Sequence, residues 1–97
     1  MCLAIYKAKG AQVPYNHLKN AFERNPHGAG FAYVNPKDKH QKVHIRKGFF
    51  TFDEFMDAYR PHSHKACAIH FRFATKGAKT KENCHPFKLT KKHAMIH

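Results

Sequence analysis

The chain has 97 residues, enough for a single domain over residues 1–97 whose core removes roughly 60–70% of the unfolded surface from water. Lys and Arg number 18 against six Asp and Glu, a formal charge of +12, yet 42% of residues are hydrophobic and nine are Phe. That composition excludes intrinsic disorder, no apolar run approaches the ~18 residues of a membrane span, and the N-terminus lacks the charged and apolar regions of a signal peptide.

In chain order, Cys2 to Lys7 reads as a short, mostly buried strand, and the Lys9 to Pro14 stretch as a loop. Tyr15 to Arg24 is expected to be a helix, with Tyr15, Leu18 and Phe22 on one apolar stripe. Pro26 disfavours helical geometry at Asn25 and ends it. Gly30 to Val34 and Val43 to Arg46 read as a hairpin, with Phe31 and Tyr33 sharing a face, joined by a polar turn from Asn35 to His40. The clearest helix spans Phe52 to Arg60. Thr51 and Glu54 have the spacing of a capping box, and Phe52, Phe55, Met56 and Tyr59 form a stripe that must pack on a core.

Ala66 to Arg72 is the next strand, with Cys67, Ile69 and Phe71 on one side and Ala68, His70 and Arg72 on the other. Phe73 to Pro86 is a long loop rich in Thr, Lys and Gly, and Phe87 to Leu89 and His93 to His97 close the chain as short strands. The layout is an α+β fold, a mostly antiparallel sheet with helices 15–24 and 52–60 covering one side.

Three cysteines, Cys2, Cys67 and Cys84, are an odd number with no C-x-x-C pair, which argues against a disulfide framework and a structural zinc finger. The nearest approach to a metal pair is His62-x-His64, and neither a metal nor a cofactor is expected. From Pro61 onward, basic residues outnumber acidic ones eight to one. A soluble, cytoplasmic protein with no membrane association is the expectation.

Three features stand together: Cys2 directly after the initiator, Asn25-x-His27-Gly28-x-Gly30, and His70-Phe71-Arg72-Phe73-Ala74-Thr75-Lys76-Gly77 followed by Asn83-Cys84-His85-Pro86-Phe87. In these the sequence resembles the N-terminal half of a class II glutamine amidotransferase domain. That family is of the N-terminal-nucleophile type with an αββα sandwich, begins Met-Cys, and carries H-x-R-x-A-T-x-G and then N-x-H-P-[FH]. The resemblance implies that Cys2, once Met1 is removed, attacks the side-chain amide of glutamine with its own α-amine as base, whose ordinary pKa is near ~8. It implies that Arg72 grips the substrate α-carboxylate with its planar fork. Thr75 and the backbone around Phe73 complete the glutamine pocket on this reading, while Asn83 and His85 order the loop around it.

Each residue also has a plainer reading. Cys2 can be a buried strand cysteine, Arg72 a structural cation, and His70 and His85 satisfied core or loop histidines. Thr75 and Gly77 can be ordinary turn residues. The joint occurrence, not any one residue, carries the resemblance.

The sequence also departs from the family. His27 stands where the family commonly has Asp, a change expected to be tolerated because the glycines carry the backbone geometry. In the family, a strand like the one at Ala94 to His97 runs into an Asn-Gly pair that supplies the oxyanion hole, and a later Asp holds the substrate α-amine. Neither lies in these 97 residues. Two expectations follow: an incomplete amidotransferase domain that works with an acceptor domain or partner protein, or a shortened relative that acts as a basic binding protein. The second would be a protein inhibitor or a nucleic-acid binder, using Lys76, Lys79, Lys81, Lys88, Lys91 and Lys92 against phosphates and Phe71, Phe73 and Phe87 against bases. An open sheet edge would also invite self-association.

Overall fold

The computed structural model describes residues 2–96. Four strands, β1 (Leu3–Lys7), β2 (Ala29–Val34), β3 (Val43–Phe49) and β4 (Cys67–Phe71), form one sheet in the order β1-β4-β2-β3. All three pairings are antiparallel. Helix α1 (Tyr15–Arg24) and helix α2 (Phe52–Tyr59) cover one face. A two-stranded hairpin of β5 (Phe87–Lys88) and β6 (Ala94–Met95) follows. The Cα radius of gyration, 12.6 Å, matches the ~12.5 Å of a compact chain of this length.

The register sorts the side chains into two faces. Toward the helices point Cys67, Ile69 and Phe71 of the central β4 and Ala29 and Phe31 of β2, each buried to within 6% of its surface. Against them α1 presents Leu18, Ala21 and Phe22, and α2 presents Phe55, Met56 and Tyr59. The core is largely aromatic. Phe55 meets Phe71 edge-on at 5.1 Å and Phe31 at 6.0 Å, and Phe22 meets Phe71 at 5.9 Å, arrangements that add to simple burial.

On the opposite face two rows of side chains cross the strands. One row is Ala4, His70, Gly30 and Lys47, and the next is Tyr6, Ala68, Ala32 and Ile45. Segment 84–87 passes over the first row. The second lies beneath a cavity of about 500 Å³ reached by Tyr6, Ala32, Ala68 and Ala94.

Local signals act as expected in both helices. Thr51 Oγ1 accepts the Glu54 amide N–H at 3.2 Å and lies 2.9 Å from the Glu54 carboxylate, closing the start of α2. Asn25 ends α1 just before Pro26, its backbone and side-chain N–H groups both reaching the Ala21 carbonyl. Tyr15, placed on the apolar stripe by periodicity, is half exposed, with its ring edge-on to Phe52.

Several boundaries differ from expectation. The first strand is not mostly buried: it forms one edge of the sheet, with Leu3 38% and Tyr6 72% exposed. Only Lys7 in it is buried, its Nζ donating to the Lys65 carbonyl. Strand β3 runs on to Phe49, because the Phe49 ring packs on Phe31 and Phe55 and Gly48 turns the backbone at φ +88°. Helix α2 stops at Tyr59, and Arg60–His62 tighten into a 3-10 turn. The fourth strand is shorter at both ends than Ala66 to Arg72, although the Arg72 amide still donates to the Gly28 carbonyl at 2.9 Å. The long loop contains a 3-10 turn at Lys81–Asn83. The closing strands are two residues each; His97, at the end of the expected last strand, lies outside the described residues. Among the described residues no helix is long and apolar enough to cross a membrane.

Candidate functional site

A cavity of about 710 Å³ opens at the end of β4 where the chain leaves the sheet. All six residues singled out by motif line it: Cys2, Arg72, Phe73, Thr75, Asn83 and His85. They come from the start of β1, the end of β4, and both limbs of the 73–86 loop, and Ala74, Lys76, Gly77 and Phe87 complete the wall.

The three thiols have different surroundings. Cys67 and Cys84 are buried, and burial is the main cause that pushes both thiols up from their ordinary value, leaving them as neutral packing groups. Cys2 is half-buried on the cavity wall. The Phe73 amide N–H points at its sulfur at 3.4 Å, and the sulfur lies 3.7 Å from the Phe73 carbonyl. This pair of contacts fixes the thiol against the backbone that follows Arg72.

Arg72 is 7% exposed, and its guanidinium shapes the loop around it. Nη1 donates to the Ala78 carbonyl and Nη2 to the Lys76 carbonyl, both at 2.8 Å. Asn83 Nδ2 donates to the same Ala78 oxygen at 2.9 Å. Gly77 makes this wrap possible: its φ is +82°, and a Cβ there would sit 3.4 Å from both Arg72 Nη2 and Asn83 Nδ2. The fork carries five N–H donors, so binding two carbonyls leaves donors for an anionic group. Thr75 is exposed at the rim, and Phe73 is 40% exposed.

The structure also relates two motifs to each other. Segment 84–86 passes directly over the glycines of Asn25-x-His27-Gly28-x-Gly30. A Cβ on Gly28 would run into Cys84 Sγ, and one on Gly30 into the His85 carbonyl oxygen. The His85 ring lies 4.4 Å from those of His70 and Phe87. The glycines are therefore a bed on which the second limb of the site rests.

Sequence reasoning missed two contributors. Lys47 Nζ donates to the Cys84 carbonyl at 3.0 Å and sits 4.5 Å above the Phe87 ring, tying β3 to the site. Nothing local in Lys47-Gly48 signals that contact. His27, read as a tolerated replacement, accepts the Ala74 amide N–H on Nδ1 at 2.9 Å and lies 4.8 Å from the Phe73 ring. Its position within the glycine motif was the available signal. Among the described residues no three His, Cys, Asp or Glu side chains come together as a metal set. His62, of the His62-x-His64 pair, is instead stacked on Tyr33 at 3.9 Å.

Comparison of the chain with protein-family models, curated proteins and solved structures finds no match.

Proposed function

We propose that this chain is a glutamine amidotransferase-like domain whose N-terminal cysteine cleaves the side-chain amide of glutamine. The observation that carries the reading is the convergence of Cys2, Arg72, Phe73, Thr75, Asn83 and His85, drawn from separate stretches by motif, on one cavity. On this reading the four-stranded sheet and its two helices are one half of an αββα sandwich, and the β5–β6 hairpin begins the second sheet layer. The reaction needs a free α-amine on Cys2, and thus removal of Met1. The amine takes the thiol proton as sulfur attacks the amide carbon, and the proton leaves with ammonia as the C–N bond breaks. Water then attacks the γ-glutamyl thioester, yielding glutamate and the restored thiol. Arg72, already braced by two carbonyls, offers its remaining donors to the α-carboxylate.

The experiment is the intact mass of the chain after incubation with 6-diazo-5-oxo-norleucine, a glutamine analogue that traps such thiols. The expected product is a chain without Met1 carrying one adduct, absent in Cys2→Ala. An unmodified Met-less chain, or an adduct that persists in Cys2→Ala, overturns the reading.

A second reading, a basic binding protein, has its own observation. The Val43 amide bonds to the Lys91 carbonyl at 2.9 Å, which brings His40 and Lys42 beside Lys91 and Lys92 around one cleft. Four cationic or protonatable side chains so placed suit a phosphate backbone. Affinity for a single-stranded oligonucleotide should then fall steeply as salt rises. Binding indifferent to salt, or none at low salt, removes this reading.

A further inference from the structure

The wall of the site that faces Cys2 is held from behind. The His27 amide donates to the Arg72 carbonyl, and the Arg72 amide to the Gly28 carbonyl, each at 2.9 Å. These bonds lock the backbone of 27–28 to the end of β4. From this fixed base the His27 ring reaches past Arg72 to the next residues: it packs on Phe73 at 4.8 Å and takes the Ala74 amide N–H on Nδ1 at 2.9 Å. Phe73 in turn is the residue whose amide points at Cys2 Sγ. An amide N–H can donate only to an unprotonated ring nitrogen, so the neutral ring must carry its proton on Nε2. Protonation would set N–H against N–H and remove the bond.

We infer that His27 is a positioning residue whose neutral imidazole docks residues 73–74 against the sheet, so that the wall beside Cys2 assembles when the ring is neutral and releases when it is protonated. The surroundings favour the neutral ring. Partial burial and the positive charges of Lys79 and Arg72 push its pKa below the ordinary 6.5. Because the docked value is lowered, docking is complete above the ordinary value and is lost as pH falls through the docked one. This inference concerns how the wall is assembled, and it stands apart from whether Cys2 reacts with glutamine.

The test is amide hydrogen exchange at Ala74, read by NMR and corrected for intrinsic exchange, between about pH 7.5 and about pH 5, a range that brackets the imidazole titration. In the wild-type chain, protection at Ala74 should fall as pH drops below the ordinary imidazole value, by at most about tenfold per pH unit. His27→Asn places an acceptor oxygen near the Nδ1 position that cannot titrate, so its protection should be the same at both ends of the range. His27→Phe keeps the ring packing on Phe73 but has no acceptor, so Ala74 should be poorly protected throughout. A long-range nitrogen–proton spectrum should place the neutral proton of His27 on Nε2. A flat wild-type profile, protection in His27→Phe equal to wild type, or a proton on Nδ1 overturns the inference. If His27→Phe fails to fold, the contrast between wild type and His27→Asn still decides it. None of these readouts requires turnover, so a failure of the glutaminase reading is seen separately, as absence of the Cys2 adduct.

Discussion

Replacing Gly30 with Ala would test how the candidate site rests on the sheet. Gly30 lies in β2 on the face away from the helices, and segment 84–86 crosses it. An added Cβ would run into the His85 carbonyl oxygen and come within 2.7 Å of Lys47 Cβ and 3.2 Å of the Arg46 carbonyl oxygen. Two of these three neighbours are backbone, so a rotamer change cannot relieve the overlap. Overpacking of this kind costs ~1–3 kcal/mol, and displacing segment 84–86 strains the Lys47 bond to the Cys84 carbonyl, worth ~1 kcal/mol. The sum is about 2–4 kcal/mol, a large share of the ~5–15 kcal/mol available to a domain of this size. In thermal unfolding the midpoint should drop by about 10–25 °C. Gly10→Ala is the control. Gly10 has φ +83° but open space around its Cβ position, so its cost is the backbone cost alone, ~1–2 kcal/mol. A Gly30→Ala variant no less stable than Gly10→Ala would refute the packing of segment 84–86 over β2.

Two further outcomes follow from the core and from the start of α2. The Tyr59 hydroxyl is buried with no hydrogen-bond partner among the described residues, so Tyr59→Phe should be neutral or stabilising by up to about 1 kcal/mol in urea unfolding. Burial raises the Tyr59 pKa from 10.0 to about 12, so its contribution is complete below the lower value and is lost as pH rises through the upper one. Tyr59→Phe should accordingly blunt the alkaline loss of stability, and an unchanged alkaline profile would contradict this. Thr51→Ala removes the cap on the Glu54 amide and should cost about 1 kcal/mol, while Thr51→Ser restores most of it. Equal stability of Thr51→Ala and wild type would show that the cap is not needed.

What the sequence determined by itself was local. The two helices were legible because apolar spacing, the Thr51 cap and Pro26 act within a turn or two of chain. The identities of the strands were legible for the same reason, since alternation places Cys67, Ile69 and Phe71 on one face whatever lies beyond them. The residues that line the candidate cavity were legible as a motif, in Cys2, Arg72, Thr75 and His85. What tertiary structure decided was everything set by partners distant in the chain. That β1 is an exposed edge follows from strand order, which no window of sequence contains. That β3 reaches Phe49 follows from rings on β2 and α2. The bed of glycines under segment 84–86, the carbonyls that wrap Arg72, and the reach of His27 to the Ala74 amide all join residues across separate stretches. Local patterns fix which way a side chain points, but only the packed sheet fixes what it meets there. The roles of Gly30, Lys47 and His27 therefore emerge only once the fold brings their partners to them.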